Sequence, residues 1–429
     1  MNQSISCFDA PAQMSVEQGK QALLDEMQPI TEHQFCSIEQ LVGKVLAEDI
    51  ISPVNVPAQT NSAMDGFAIH LPNRKPSLGN ETSLPYPSEY KLVGQALAGH
   101  GFDAELAEGE AVMITTGAPL PSGANTVVMK EFVNVAEGFI KLQRPDAVAL
   151  NDNIRQAGED LAQGSLALSK GTRIFAQHQG LLASLGFSEV KVIRPLKVAL
   201  FSTGDEVVAQ GQPLPKNSIY DTNRFTLQGL LNGLQCDITD LGIIQDDETS
   251  LVNTLSKAAE DHDVVISSGG VSVGDADYIK SALAQVGEIG FWRLNIRPGR
   301  PFAFGRLGKD EQKALFFGLP GNPVAVMVTF LQLAQPALRK LAGESRWQLT
   351  PIPALAQETM RSRQGRTDFH RGIFSVDASG QLVVRTTGSQ GSGILRSMVE
   401  ANCLIEIPDE QQGIRAGEKV MIQPFSDLI

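Results

Sequence analysis

From Leu196 to Leu341 apolar runs and amphipathic stretches alternate, and this alternation narrows the fold more than anything else in the chain. Residues 198–201, 237–241 and 264–267 read as strands, and 224–231, 248–260 and 278–286 as helices. A strand–helix–strand repeat of this kind predicts a parallel sheet, because a crossover is needed to bring the chain back to the same end of the sheet. Further strands are expected at 291–296, 302–304 and 314–317, then a long apolar helix over 324–341 that Gly343 closes. The unit reads as a doubly wound α/β domain.

The flanking stretches follow other periods. Residues 16–27 and 37–46 read as amphipathic helices, an α-rich opening. From 51 to 153 short β-type runs (91–93, 111–114, 126–129, 139–142) are cut by Gly and Pro, which predicts an all-β insert with an exposed loop over 72–87. After Trp347 the alternation is again strand-like, at 372–376, 382–386, 403–407 and 419–422, as in a small barrel or sandwich. At 429 residues a prior of roughly three domains applies. The chain pass raises this to four: an α-rich part over 8–50 and 154–194, a β insert over 51–153, an α/β domain over 195–344 and a C-terminal β domain over 345–429.

Composition excludes several classes. A net charge of −13 argues against general nucleic-acid binding, so an anionic ligand must meet a local basic patch. Cys7, Cys36, Cys236 and Cys403 are far apart with no C-x-x-C, which suggests neither a disulfide framework nor a thiolate zinc site and fits a reducing cytoplasm. No basic-then-apolar leader and no long apolar span are seen, so a soluble protein off the membrane is expected.

In an open parallel sheet ligands sit beyond the carboxyl ends of the strands. Four loops there are unusual. Ser202-Thr203-Gly204-Asp205-Glu206 brings two carboxylates to a strand end, although a plain turn with solvated acids would look the same. Gln245-Asp246-Asp247 fits helix capping better than catalysis. Ser267-Ser268-Gly269-Gly270-Val271-Ser272, between a strand and a helix, offers backbone N–H groups and hydroxyls to a phosphate-type anion, yet is neither G-x-G-x-x-G nor a Walker A loop. Gly318-Leu319-Pro320-Gly321-Asn322-Pro323 repeats the design, or is a rigid turn. Between the last two, Arg293, Arg297 and Arg300 stand in a stretch without acids, suited to bidentate oxyanion binding or to a solvated strand edge. Carboxylates at Glu206, Asp246 and Asp277 beside these loops suit Mg²⁺, which commonly takes one or two carboxylates plus substrate phosphates.

With Val56-Pro57, Asn61-Ser62-Ala63-Met64-Asp65-Gly66, Thr116-Gly117-Ala118-Pro119, Gly158-Glu159-Asp160 and Tyr220-Asp221-Thr222-Asn223 added in order, the chain resembles the MoeA-type molybdopterin molybdenumtransferases, which are similar to the C-terminal domain of gephyrin. The resemblance covers nearly the whole chain. It implies an elongated four-domain subunit that forms a homodimer with a shared cleft, a cytoplasmic enzyme inserting molybdate into adenylylated molybdopterin with Mg²⁺-dependent loss of AMP. It places catalytic roles on Asp65, Thr116, Asp160, Glu206, Asp246 and Asp277, with Glu206 and Asp277 as metal ligands. Substrate binding falls on Ser267, Ser268, Gly269, Gly270, Ser272, Arg293, Arg297, Arg300, Pro320, Pro323, Arg371 and Ser392. Two departures stand out: the arginines at 293, 297 and 300 replace lysines usual in bacterial members, and Ser389 stands where members carry histidine, so Ser389 receives no role.

Three rivals remain. A molybdopterin adenylyltransferase resembles the same α/β domain but usually lacks the flanking motifs. A non-catalytic molybdopterin-binding scaffold is the second, and a hydrolase acting on an unrelated nucleotide, by fold analogy alone, the third. An adenylyltransferase and cofactor-delivery proteins are the partners implied.

Overall fold

The computed structural model describes residues 13–72, 86–245, 247–270, 277–308 and 313–427, with side chains from 281 onward in the fourth stretch. Cys7 and most of the 72–87 loop lie outside these residues. The chain divides into two compact units. One takes the described residues up to Glu48, Lys170–Ala176 and Glu189 onward; the other takes Asp49–Ser169 and Gln177–Ser188.

In the first unit a six-stranded sheet is built from β1 (Lys197–Thr203), β2 (Asp237–Ile244), β3 (Val264–Ser268), β4 (Gly287–Arg293), β5 (Pro301–Leu307) and β6 (Ala314–Leu319), in the order β2-β1-β3-β6-β5-β4. β2, β1, β3 and β6 are parallel, whereas β5 runs antiparallel to both β6 and β4. The strand–helix–strand repeat thus forms the parallel sheet expected from the sequence, and the antiparallel β5 makes the whole sheet mixed. The connections at 294–300 and 308–313 are shorter than the roughly dozen residues a parallel crossover needs, so these strands can only return antiparallel.

Helices α1 (Val16–Glu26), α2 (Asn223–Gly233), α3 (Glu248–Asp261) and α4 (Asp277–Val286) flank the sheet, with a long helical stretch of α5 (Pro323–Thr329), a π-helical turn Phe330–Ala334 and α6 (Gln335–Leu341). Successive strand residues point to opposite faces. Val198, Leu200, Val264 and Ile266 pack with α1, α2 and the long helix, while Ala199, Phe201 and Val265 pack with α3 and α4. Both faces are covered, which is why β3 and β6 are buried throughout and apolar apart from Ser267 and Ser268 at the end of β3. α1 starts in a reciprocal capping box in which Ser15 and Gln18 satisfy each other's backbone N–H. The second opening helix expected at 37–46 is absent. Strand His33–Ser37 pairs antiparallel with Glu189–Ile193, one 3₁₀ turn follows, and Gly43 at φ +88° turns the chain.

Five strands, β7 (Ile352–Ala356), β8 (Thr367–Val376), β9 (Leu382–Thr386), β10 (Cys403–Ile407) and β11 (Lys419–Pro424), close into a barrel through the pairs β8–β9, β9–β7, β7–β11, β11–β10 and β10–β8. The short strand Ile296–Arg297 joins the barrel in parallel register with Thr367 and Asp368, tying the arginine-rich stretch to it.

The second unit, Asp49–Ser169 with Gln177–Ser188, contains the β runs of 51–153 and also segments that the sequence reading gave to the α-rich part. Its six-stranded sheet runs Thr126–Met129, Gly66–Ile69, Glu110–Ile114, Glu89–Ala96, Phe139–Leu142, Val133–Ala136, with apolar clusters around Ile69 and Ile140 and around Val112 and Val127.

Candidate functional site

A cavity of about 800 Å³ opens where β1, β3 and β6 end, lined by their loops, by 297–301 and by Arg366, Gln390, Gly391 and Ser392 from the barrel. Parallel register sets Ser202, Ser268 and Leu319 side by side across the three strands, so the loops leave the sheet at one level.

The first loop is anchored by an aspartate that residue-level reading passed over. Asp221 is buried, and its Oδ1 accepts from Ser202 Oγ at 3.1 Å and Arg224 N at 3.2 Å while Oδ2 accepts from Arg224 Nε at 2.8 Å. Arg224 also pairs with Asp240. Burial alone would lower the Arg224 pKa, but hydrogen bonds to the two aspartates outweigh it and raise it. The Arg224 guanidinium thus sits as the counter-charge on Asp221. Glu206, which lines the same cavity, makes no ion pair among the described residues. Two residues on, Asn223 Nδ2 donates to Gly321 O at 2.7 Å, joining the first loop to the fourth. Its Oδ1 is buried without a partner.

In the third loop Gly269 has φ +95°, and its N–H donates to Leu319 O at 3.1 Å. A Cβ there would lie 2.8 Å from Thr203 O, so only glycine lets the strand ends approach. The hydroxyls of Thr203, Ser267 and Ser268 are buried with no partner, and Thr203 and Ser268 line the cavity. Orphaned buried hydroxyls are costly in a folded chain and point to a ligand that completes them. Gly269 and Gly270 line the cavity. Ser272 and Asp246 lie outside the described residues, as does the side chain of Asp277 at the start of α4. Asp247 caps α3 through Ser250 N at 2.8 Å, and that backbone bond, first among its contacts, holds its carboxyl below the usual range.

Pro320 and Pro323, from the fourth loop, line the cavity. Arg297 and Arg300 are exposed to the cavity and unpaired among the described residues, whereas Arg293 lies on β4 opposite Pro301 and is not part of the lining. Gly299, between them, has φ +103°. Arg366, which the sequence reading did not single out, is a third lining arginine. Arg371 is buried behind the wall. Its N–H donates to Gln390 Oε1 at 2.8 Å, its Nε to Ser397 Oγ at 3.0 Å and its Nη2 to Gly391 O at 3.1 Å, which secures the loop that presents Ser392. Burial, and secondarily the Arg297 charge, pushes the Arg371 pKa down to about 10.

In the second unit Asp65 and Thr116 meet. Asp65 Oδ1 accepts from the N–H and Oγ1 of Thr116, each at 2.9 Å, and Lys130 Nζ lies 3.3 Å from Oδ2. The Thr116 backbone bond is the main cause holding the Asp65 carboxyl low. Asp160, in the same unit, is exposed and donates its N–H to Val56 O at 3.0 Å.

Among the described residues no group of three or more His, Cys, Asp or Glu could by itself hold a metal. No described helix is long and apolar enough to cross a membrane.

Comparison with known proteins covers the same architecture. The family models for the MoeA N-terminal region (domain I and II), the probable molybdopterin binding domain and the MoeA C-terminal region (domain IV) match residues 14–186, 199–340 and 353–425. The chain is 40% identical over 421 residues to a molybdopterin molybdenumtransferase of Haemophilus influenzae, spanning 97% of this chain and 100% of that one. It is 33% identical to one from Nostoc, over 89% and 86% of the two chains. The crystal structure of the molybdopterin biosynthesis MoeA protein from Pyrococcus horikoshii superposes with a TM-score of 0.79 at 30% identity, covering 96% of this chain and 99% of that one.

Proposed function

The chain belongs to the MoeA-type molybdopterin molybdenumtransferases, and on that premise we propose that its strand-end cavity is where molybdate enters adenylylated molybdopterin with Mg²⁺-dependent release of AMP. The enzyme is a transferase of molybdenum cofactor biosynthesis. The observation that carries the finer reading is the cavity's donor set. In a chain of net −13, Arg297 and Arg300 face the same cavity as the unpartnered hydroxyls of Thr203 and Ser268. Guanidinium groups hold a doubly charged tetrahedral oxyanion, and glycine-loop hydroxyls and N–H groups hold phosphate.

In this reading Arg297, Arg300 and Ser392 hold molybdate near the dithiolene, and the Ser267–Gly270 turn holds the pterin's phosphate end. Asn223, pinned by Gly321, keeps the first and fourth loops at fixed spacing. The donor set suits Mg²⁺: one cavity carboxylate without an ion pair, Glu206, beside a phosphate-binding loop, the remaining ligands coming from substrate and water. Glu206 and Asp277 are the residues that would hold it, and when bound it supplies charge neutralisation at the phosphoanhydride. Asp65, Thr116, Asp160 and Asp246 are assigned catalytic roles through the family resemblance. We further propose a cytoplasmic homodimer that receives its substrate from an adenylyltransferase and passes the finished cofactor to delivery proteins.

The test is AMP release from adenylylated molybdopterin with and without molybdate and Mg²⁺. Release that requires both is expected. Equal release without molybdate would remove the insertion reading, pyrophosphate release from molybdopterin and ATP would favour the adenylyltransferase, and absent turnover in an intact dimer would favour the scaffold.

A further inference from the structure

A second cavity, of about 350 Å³, lies in the first unit at the far ends of two helices that start at the strand-end cavity. Asn223, the first residue of α2, and Pro323, the first of α5, both line the strand-end cavity. Gly233, the last of α2, and Arg339, sixteen residues past Pro323, line the second one, roughly 24 Å along the long helix at 1.5 Å per residue. The charged groups among the described residues that line it are two guanidiniums, Arg173 and Arg339, both mostly buried. One carboxylate serves both. Glu344 takes a two-point clamp from Arg339, whose Nε donates to Oε2 at 2.8 Å and whose Nη2 donates to Oε1 at 2.5 Å. Arg173 Nη1 stands 3.8 Å from Glu344 Oε2, beyond hydrogen-bond reach. Its Nη2 donates to Gly233 O at 2.6 Å, and its Nε is buried without a partner.

We propose that this cavity is a second ligand site, which takes an organic monoanion: a carboxylate head held by Arg173 and Arg339, joined to an apolar body. The charge count selects the head. Two guanidiniums against one carboxylate leave one positive charge uncompensated in a mostly buried place, where an unpaired charge is costly. Burial accordingly pushes the Arg173 pKa down, and the Glu344 charge does not make up the loss. The wall selects the body. Leu230, Leu234, Leu349 and Phe175 line the same space, and an apolar lining with a few convergent polar groups is the usual make-up of a small-molecule pocket. Helix termini account for part of the arrangement, since Arg339 lies in the last turn of α6 and Arg173 bonds the last carbonyl of α2. They do not account for the unpartnered Nε or for one counter-ion shared between two buried cations. The inference is independent of the insertion reading.

The full-length protein is titrated calorimetrically, at constant ionic strength, with benzoate, with acetate as the head alone and with benzyl alcohol as the body alone. Benzoate should bind with a Kd of roughly 0.1–1 mM, ordinary for a ligand of its size, and each fragment at least about tenfold more weakly. R173Q should abolish benzoate binding, whereas R297Q, in the strand-end cavity, should leave it unchanged. Arg173 also caps α2, so should R173Q not fold, Q348E decides. At an exposed lining position, and without change of shape, it supplies a resident carboxylate. That carboxylate should raise the melting temperature and weaken benzoate at least about tenfold. No saturable benzoate binding up to about 10 mM would overturn the proposal, as would binding that is lost in R297Q and kept in folded R173Q or Q348E. Equal affinity for acetate and benzoate would overturn the apolar body, and equal affinity for benzyl alcohol the carboxylate head.

Discussion

At Gly299 a methyl group would lie 2.2 Å from Thr329 Oγ1, and the backbone is at φ +103°. Both facts forbid a side chain where the arginine turn packs on the long helix. Gly299→Ala should cost about 1–3 kcal/mol, read as a lowered denaturation midpoint with unchanged slope. Asp263 carries a different kind of constraint. Its carboxylate takes Arg194 at 2.7 and 2.9 Å and the Lys197 N–H at 2.8 Å, at the entry to β1 and β3. Burial pushes its carboxyl up, yet these partners outweigh it and lower it below the ordinary value. Because the folded pKa lies below the unfolded one, the stabilisation is complete above the unfolded value of about 3.9 and is lost as pH falls toward the folded one. D263N should be about 1–3 kcal/mol less stable at neutral pH, with the gap to wild type closing below about pH 4 in a chemical-denaturation series.

The long helix shows what periodicity can and cannot say. Residues 324–341 are predominantly apolar, and the structure buries nearly all of them between the sheet, α1 and the barrel, Thr329, Gln332 and Gln335 included. An apolar run of that length was readable as a buried helix. The π-helical turn at Phe330–Ala334, just before Pro336, was not. Proline has no N–H to donate and crowds the preceding turn, so the helix widens there, a local adjustment that depends on φ and ψ rather than on hydrophobic pattern. Leu331, 0% exposed within this stretch, should cost about 2–5 kcal/mol on truncation to Ala, measured by equilibrium unfolding. The 37–46 stretch failed for the opposite reason. Ile38, Leu41, Val42 and Val45 recur at helical spacing, but Val45 bridges Arg173 and Leu46 bridges Val192, so pairing with residues distant in sequence overrode the local period.

Charge is set by the chain as a whole and inverted locally at the cavity. With a net charge of −13 the protein repels oxyanions at long range, and Arg297 and Arg300, unpaired among the described residues, must overcome that locally. Raising salt from about 0.05 M to about 0.5 M screens exposed charges within a few ångströms. The KM for molybdate should therefore rise several-fold over that range while kcat stays level; a KM independent of salt would argue against capture by exposed arginines. The doubly wound core, the C-terminal barrel strands and the three strand-end loops that line the cavity lie where local periods, glycines and prolines put them, because those are local properties of the chain. Asp221, Asn223 and Arg366 could not be singled out on spacing, and Arg293 could not be separated from Arg297 and Arg300. Their roles depend on strand register, on the antiparallel return of β5, and on barrel closure that brings Thr367 and Asp368 beside Ile296 and Arg297. Those are contacts between residues far apart in the chain, and a linear pattern carries no information about which of many compatible pairings leaves the fewest buried polar groups unsatisfied.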